Sequence, residues 1–266
     1  MNTAQNSKAF WEIIGLIPAA GTASRIAPLP CSKELYPIGF RSVNGGNEIR
    51  PKVVTHYLLE KMRQADITKV FMILRAEKWD IPRYFGDGKM FDMDIAYLMM
   101  DLSYGVPFTL DHAYPFVKDS LIAIGFPDII FEPDDAYIKI IRKQAETNAD
   151  IVLGLFPTNN PHKTDMVELD ENGKVRTLHI KPKYTQLIYT WQIAVWTPTF
   201  TDYLHNNVSD RKGRGKLEHQ NELYVGDVIQ AALKDTIQID SVLFKDGKCL
   251  DIGTPEDLIK ALQVNM

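Results

Sequence analysis

The chain predicts an α/β fold: a mostly parallel mixed sheet flanked by helices. Three observations predict it. Residues 13–17 form an apolar run of strand length that ends in the small residues Ala19, Ala20 and Gly21. Val54, Tyr57, Leu58, Met62 and Ala65 then recur at helical spacing. Residues 70–74 are a second buried-strand run. Strand, helix and strand in that order make a βαβ unit, whose two strands lie parallel.

The remaining elements follow in order. Residues 41–47 are rich in Gly and Asn and predict a loop, after which Arg50, Pro51 and Lys52 open the helix. Residues 79–89 predict a short helix closed by Gly86 and Gly88, and residues 95–100 a strand. A loop at 103–107 holds Gly105. Residues 121–126 predict a central strand that ends at Pro127 and Asp128. Pro133, Asp134 and Asp135 open a helix that buries Tyr137, Ile138, Ile141 and Ala145, and residues 150–156 form the next strand. Asn172-Gly173 accepts positive φ and predicts a hairpin between 166–169 and 175–180. Residues 187–197 are a long β-rich run whose Trp191 and Trp196 are assigned to the core. A short helix at 198–206, a basic glycine-rich solvated loop at 210–216, a helix at 222–233 and a strand at 237–240 follow. Thr254 and Pro255 then suit the N-cap and first position of a last helix.

With 266 residues the chain can bury a sizeable core, and one domain over 9–262 is expected. The formal charge of −4 argues against a general nucleic-acid binder, which carries a basic footprint. Two cysteines are too few for a secreted disulfide framework. No apolar run reaches membrane-spanning length and residues 1–8 lack a signal-peptide core, so a cytoplasmic protein is expected.

The segment after the first strand carries the chemistry. A strand that runs into small residues exposes backbone N–H groups that can wrap a phosphate chain. Such an ending is as often a plain turn. Arg25 and Lys33 follow as cations suited to phosphate oxygens, one a planar fork and one a point charge. Asp128 lies just past a central strand, in the crevice where parallel α/β sheets bind ligands, although an Asp there can equally cap a turn.

The whole stretch resembles the signature of the sugar-1-phosphate nucleotidylyltransferases, among them the glucose-1-phosphate thymidylyl- and cytidylyltransferases. Ala20-Gly21-Thr22-Ala23-Ser24-Arg25-Ile26-Ala27-Pro28 stands for its first half and Ser32-Lys33-Glu34-Leu35-Tyr36-Pro37 for its second. Cys249-Leu250-Asp251-Ile252-Gly253-Thr254-Pro255-Glu256 resembles a second family motif near the C-terminus. The resemblance implies a Rossmann-like nucleotidyltransferase fold with a β-rich sugar-side subregion after about residue 160. It also implies Mg2+ held by Asp128 and Asp251, a nucleoside triphosphate held by Ala20, Gly21, Thr22 and Arg25, and Lys33 acting on the transferring phosphoryl group. Gly105 would lie against the base, Lys181 would hold the sugar phosphate, and Ile180 and Gln192 would face the sugar. A homo-oligomer is possible.

Five departures stand out, the mildest being Ala20 in place of another small residue. Ala23 replaces a loop glycine and is tolerable only where positive φ is not needed. Phe126-Pro127 replaces Leu-Gly before Asp128, and Ile180 replaces a Glu before Lys181. Thr190-Trp191-Gln192 lacks a strand glycine. Isoleucine accepts no hydrogen bond, so a sugar deoxygenated or methylated at that point is expected, unless His179 or Gln192 replaces the lost acceptor. Two other readings remain open: a non-catalytic sensor of nucleotides or sugar phosphates, and transfer to another small phosphorylated acceptor.

Overall fold

The computed structural model describes residues 11–101, 104–213 and 222–263. Its strands and helices in the first half are β1 (Ile13–Pro18), β2 (Pro37–Val43), β3 (Glu48–Val53), α1 (Val54–Gln64), β4 (Lys69–Arg75), α2 (Asp80–Phe85), β5 (Asp94–Met100), α3 (Val106–Asp111) and α4 (Tyr114–Val117). There follow β6 (Leu121–Ile124), β7 (Ile129–Glu132), α5 (Ala136–Thr147), β8 (Ile151–Pro157), β9 (Met166–Leu169), β10 (Val175–His179) and β11 (Tyr189–Trp196). The last elements are α6 (Pro198–Gly213), α7 (Val225–Lys234), β12 (Ile239–Leu243), β13 (Lys248–Asp251) and α8 (Pro255–Gln263).

The expected α/β fold forms. β1 sits at the middle of the main sheet, parallel to β6 on one side and to β4 on the other, with β5 parallel to β4. Their continuous apolar runs suit a place buried on both faces. Every residue of β6 is buried, and Ile17 is 0% exposed. β11 lies antiparallel to β6 and to β8, and β12 runs parallel to β8. The β9–β10 hairpin joins this half through Thr190 opposite Met166, which gives the expected β-rich subregion. Asp170 accepts from the backbone N–H groups of Asn172 and Lys174, and Gly173 takes φ 78°, so that turn forms as expected.

Each face of the sheet carries a core. On one, Leu58, Leu59 and Met62 of α1 meet Tyr137 and Ile140 of α5. On the other, Phe108 of α3, Phe200 and Leu204 of α6 and Val228 and Ile229 of α7 pack together. Among the described residues, no helix is long and apolar enough to cross a membrane.

Several expectations are corrected. Residues 41–47 are not a loop. β2 and β3 pair antiparallel, with Arg41 opposite Arg50, and Gly45 and Gly46 turn between them at φ 67° and 94°. Arg50, Pro51 and Lys52 therefore lie in β3, and α1 opens only at Val54. The buried face of α5 is Ala136, Tyr137, Ile140 and Gln144; Ile138 and Ile141 are half-buried and Ala145 is exposed. The helix at 198 runs to Gly213 and takes in the start of the basic segment, whose residues 214–216 lie outside the described residues. α7 begins at Val225 rather than at 222. α3, α4 and β7 were not expected at all.

His56 gives the fold a measurable signature. It is fully buried in α1, with its ring edge-on to Phe91 at 4.8 Å between centroids. Burial, helped by the charges of Arg41 and Lys52, pushes its pKa down to about 3. An unfolded imidazole titrates near ~6.5. The folded pKa lies below the unfolded one, so this stability is complete above ~6.5 and is lost as pH falls from there toward the folded value. From pH 7 to pH 5 the loss should reach at most about 2 kcal/mol. Urea unfolding of wild type and His56→Leu at both pH values should show a shallower acid loss in the variant. Equal slopes would remove His56 from the acid sensitivity.

Candidate active site

A cleft of about 600 Å³ opens beside the ends of β1 and β6. Gly21, Thr22, Arg25, Lys33, Asp128, Lys181, Gln192 and Asp251 all line it. They come from segments that are far apart in sequence, and local bonding explains how each is placed.

Lys33 opens a single 3-10 turn, Lys33–Leu35, and its ammonium pairs with the Asp128 carboxylate. Beneath it, Glu34 is 1% exposed and accepts from Lys78 Nζ at 2.5 Å. Thr55, in the first turn of α1, lies against both loops. Its hydroxyl is 2.8 Å from the carbonyl of Glu34 and 3.2 Å from that of Pro127. One side chain thus spaces the Lys33 turn from the Asp128 loop.

Asp251 reaches the same place through a two-stranded antiparallel sheet. β13 pairs with β7 so that Asp251 stands opposite Ile129, and Ile252 donates its N–H to the Asp128 carbonyl at 3.0 Å. Gly253 donates its N–H to Asp251 Oδ1 at 2.7 Å. A Cβ on Gly253 would lie 2.9 Å from Arg25 Nη2 and 2.8 Å from Asp251 Oδ1, so Arg25 and Asp251 both crowd this bare backbone. Thr254 then caps α8, exchanging contacts with Asp257 as the sequence suggested.

The electrostatics reflect two carboxylates in a confined space. Burial, and then the charge of Asp128, raises the Asp251 pKa to about 6, against the opposing pull of the Gly253 N–H, Lys33 and Arg25. Burial also works against ionised Asp128, but Lys33 outweighs it and holds that carboxyl below its usual value. Burial would lower Lys33, yet Asp128 and Glu34 prevail and keep it above the usual lysine value, firmly charged. A divalent cation would offset both the burial of the Asp251 charge and its repulsion by Asp128, the two causes that raise Asp251. Among the described residues no three His, Cys, Asp or Glu side chains gather as a metal cage. Two carboxylates with open positions for phosphate oxygens suit Mg2+, which seldom takes an all-protein shell.

Three of the anticipated site residues do not line the cleft. Ala20 is buried at 4% exposure under the loop. Gly105 is buried at φ 124°, where a Cβ would meet the Leu223 carbonyl oxygen at 2.2 Å, so only glycine fits; its neighbour Val106 reaches the cleft instead. Ile180 packs its methyl end onto Gly226, beside the Asp165 carboxylate. Lys181 takes φ 42° and sets its ammonium 3.5 Å over the centre of the Tyr224 ring. Ala23 takes φ 54°, so the condition for tolerating alanine there is not met and the loop is strained.

Sequence reasoning missed Asp165, Tyr224 and Lys163 as cleft residues and assigned Trp191 to the core alone. Trp191 is buried at 5% exposure, but it also lines the cleft. Burial pushes the Asp165 pKa up to about 6, opposed by Lys181 and reinforced by Asp227. A lone Asp ahead of a strand carries no pattern that would have revealed it.

Comparison with known proteins decides the family. The profile of the family described as nucleotidyl transferase matches residues 14–265. The chain belongs to this family. The chain is 26% identical over 260 residues to the low-salt glycan biosynthesis nucleotidyltransferase Agl11 of Haloferax volcanii, covering 94% of this chain and 65% of that protein. It is 26% identical over 251 residues to a glucose-1-phosphate thymidylyltransferase of Streptomyces antibioticus, covering 92% and 64%. The chain thus spans a little under two thirds of the length of these relatives. In fold it is similar to a Bacillus anthracis protein named for glucose-1-phosphate thymidylyltransferase and crystallised with sucrose. The TM-score is 0.78 at 21% identity, covering 96% of this chain and 97% of the other.

The strain at Ala23 is testable. Glycine adopts left-handed backbone without the Cβ clash, at the cost of a freer unfolded chain. Ala23→Gly should leave stability unchanged or raise it by up to about 1 kcal/mol, measured by denaturant unfolding. A loss above that size would show that no strain resides there.

Proposed function

We propose that this nucleotidyl transferase moves a nucleoside monophosphate from a nucleoside triphosphate to a sugar 1-phosphate, in a magnesium-dependent reaction carried out within residues 9–262. The observation that carries the reading is the convergence of Arg25, Lys33, Asp128 and Asp251 on one cleft from widely separated segments. The names of the relatives support the substrate class. An acceptor phosphate oxygen attacks the α-phosphorus. The bond from that phosphorus to the bridging oxygen breaks, and pyrophosphate leaves with the electron pair.

Such a transfer needs positioning and charge balance more than covalent catalysis. The turn at Gly21 and Thr22 offers backbone N–H groups to the triphosphate, and Arg25 clamps its oxygens as a planar fork. Lys33 stays charged and meets the negative charge that grows on the transferring group. Lys181, braced over Tyr224, holds the acceptor phosphate, and Gln192 faces the acceptor body. Val106 and the Gly105 turn close the nucleotide end. Asp128 and Asp251 would hold Mg2+, which supplies positive charge to the phosphate oxygens when bound.

Pyrophosphate release with a panel of triphosphates and acceptor phosphates, with and without magnesium, tests the whole reading. Release with sugar 1-phosphates supports it. Nucleotide binding without release would favour a sensor, and release only with other phosphates would favour a different acceptor.

Two substitutions test the parts. Asp251→Asn replaces a carboxylate by a poor magnesium ligand. It should fold normally, need at least ~10-fold more magnesium for half-maximal rate, and lose most turnover. Unchanged magnesium activation would exclude Asp251 as a ligand. Lys33→Ala should cut kcat by on the order of 100-fold with only a few-fold change in nucleotide KM. A large KM change at constant kcat would assign Lys33 to ground-state binding.

A further inference from the structure

The cleft contains a polar pair that the phosphate chemistry does not use. Asp165, just ahead of β9, is anchored through its backbone carbonyl, which accepts from the Thr190 hydroxyl at 2.9 Å. Its Oδ2 rests on bare Gly226, where a Cβ would approach to 2.4 Å. Its other oxygen, Oδ1, is shielded from solvent and has no hydrogen-bond partner among the described residues. The same holds for the indole Nε1 of Trp191 in β11. Asp165 and Trp191 both line the cleft, and the indole N–H lies within weak hydrogen-bonding reach of that carboxylate, short of an aligned bond.

A buried acceptor and a buried donor left imperfectly paired beside each other call for an explanation, because each costs free energy until it is well paired. The two have opposite needs. A phosphate oxygen would satisfy the indole and be repelled by the carboxylate. A methyl group would satisfy neither. A hydroxyl donates through its proton and accepts through its oxygen, and so satisfies both. Lys181 lies close enough for its charge to act on Asp165, which puts this pair beside the phosphate-holding lysine. Ile180 and Asp165 are neighbours over the same glycine, with the Ile180 Cδ1 at 2.6 Å and the Asp165 Oδ2 at 2.4 Å from the Cβ position of Gly226. The acceptor absent at Ile180 is therefore present beside it, on the segment that leads into β9. His179 does not take that role, since its ring meets Glu168 at 3.0 Å.

We propose that Asp165, together with the indole N–H of Trp191, reads a hydroxyl of the sugar 1-phosphate and makes the enzyme select acceptors that carry it. This rests on the transferase reading above and names the acceptor more closely. It reverses the preference for a deoxygenated sugar that Ile180 alone suggested.

The test compares glucose 1-phosphate with its 2-, 3-, 4- and 6-deoxy analogues, by pyrophosphate release and separately by calorimetric binding. A site built to pair a hydroxyl rejects the analogue that lacks it by large factors. Wild type should discriminate against one analogue by at least about 10-fold in kcat/KM and in affinity. Asp165→Leu should erase that ratio, losing on glucose 1-phosphate and not on the matching analogue, with triphosphate binding retained as the check on folding. Asp165→Asn, which keeps the shape, should narrow the ratio, and Trp191→Phe should narrow it on the same analogue. Two results overturn the proposal: a wild type that treats all analogues alike, or an Asp165→Leu variant that binds triphosphate and keeps the wild-type ratios. If sugar 1-phosphates bind without pyrophosphate release, the transferase reading fails while the binding ratios still judge Asp165. If none binds, both fail.

Discussion

Two negative charges that repel each other sit at the centre of this structure. Asp128 and Asp251 are brought together by backbone pairing between β7 and β13, not by any attraction of their own. Burial, and then the neighbouring charge of Asp128, push the Asp251 carboxyl up to about 6. Lys33 offsets Asp128 by direct pairing, and Arg25 crowds Asp251 across Gly253. The loop after β1, the turn at Lys33, the Glu34–Lys78 pair below it and the cap of α8 all hold these charges in register. Buried ion pairs of this sort add little to stability, and their retention suits a site that handles charged substrates.

Strain gathers at the same cleft. Ala23 and Lys181 are both non-glycine residues in left-handed backbone, and both line it. Such conformations persist only where the surroundings over-determine them, and they cluster at ligand sites. Ala23 shapes the turn after β1, and Lys181 is aimed across the Tyr224 ring. The backbone here is shaped for contact rather than for its own comfort.

The parallel part of the sheet was legible because its strands are buried on both faces and read as unbroken apolar runs. The β2–β3 hairpin was not, because it is mostly exposed and its glycine turn looks like any loop. β7 was missed because it is four residues long and, among the described residues, pairs only with a strand from near the C-terminus. In the cleft, Arg25, Lys33 and Asp251 stood out through the short motifs that carry the family resemblance, and Asp128 through its place just past a central strand. Asp165 and Trp191 did not. Their significance lies in a meeting across strands and in hydrogen bonds they do not make, and neither is written in local sequence.

Thr55 carries one more consequence. A hydroxyl has a single proton, and the Thr55 hydroxyl stands between two carbonyls, at 2.8 Å and 3.2 Å. It cannot serve both fully at once. The separation of the Lys33 turn from the Asp128 loop is therefore gauged by the length of a short side chain rooted in a helix, rather than by the ion pair that spans it. An ion pair is soft and tolerates many distances. A buried hydroxyl, 1% exposed and hydrogen-bonding toward both carbonyls, tolerates fewer, and it ties the two loops to α1.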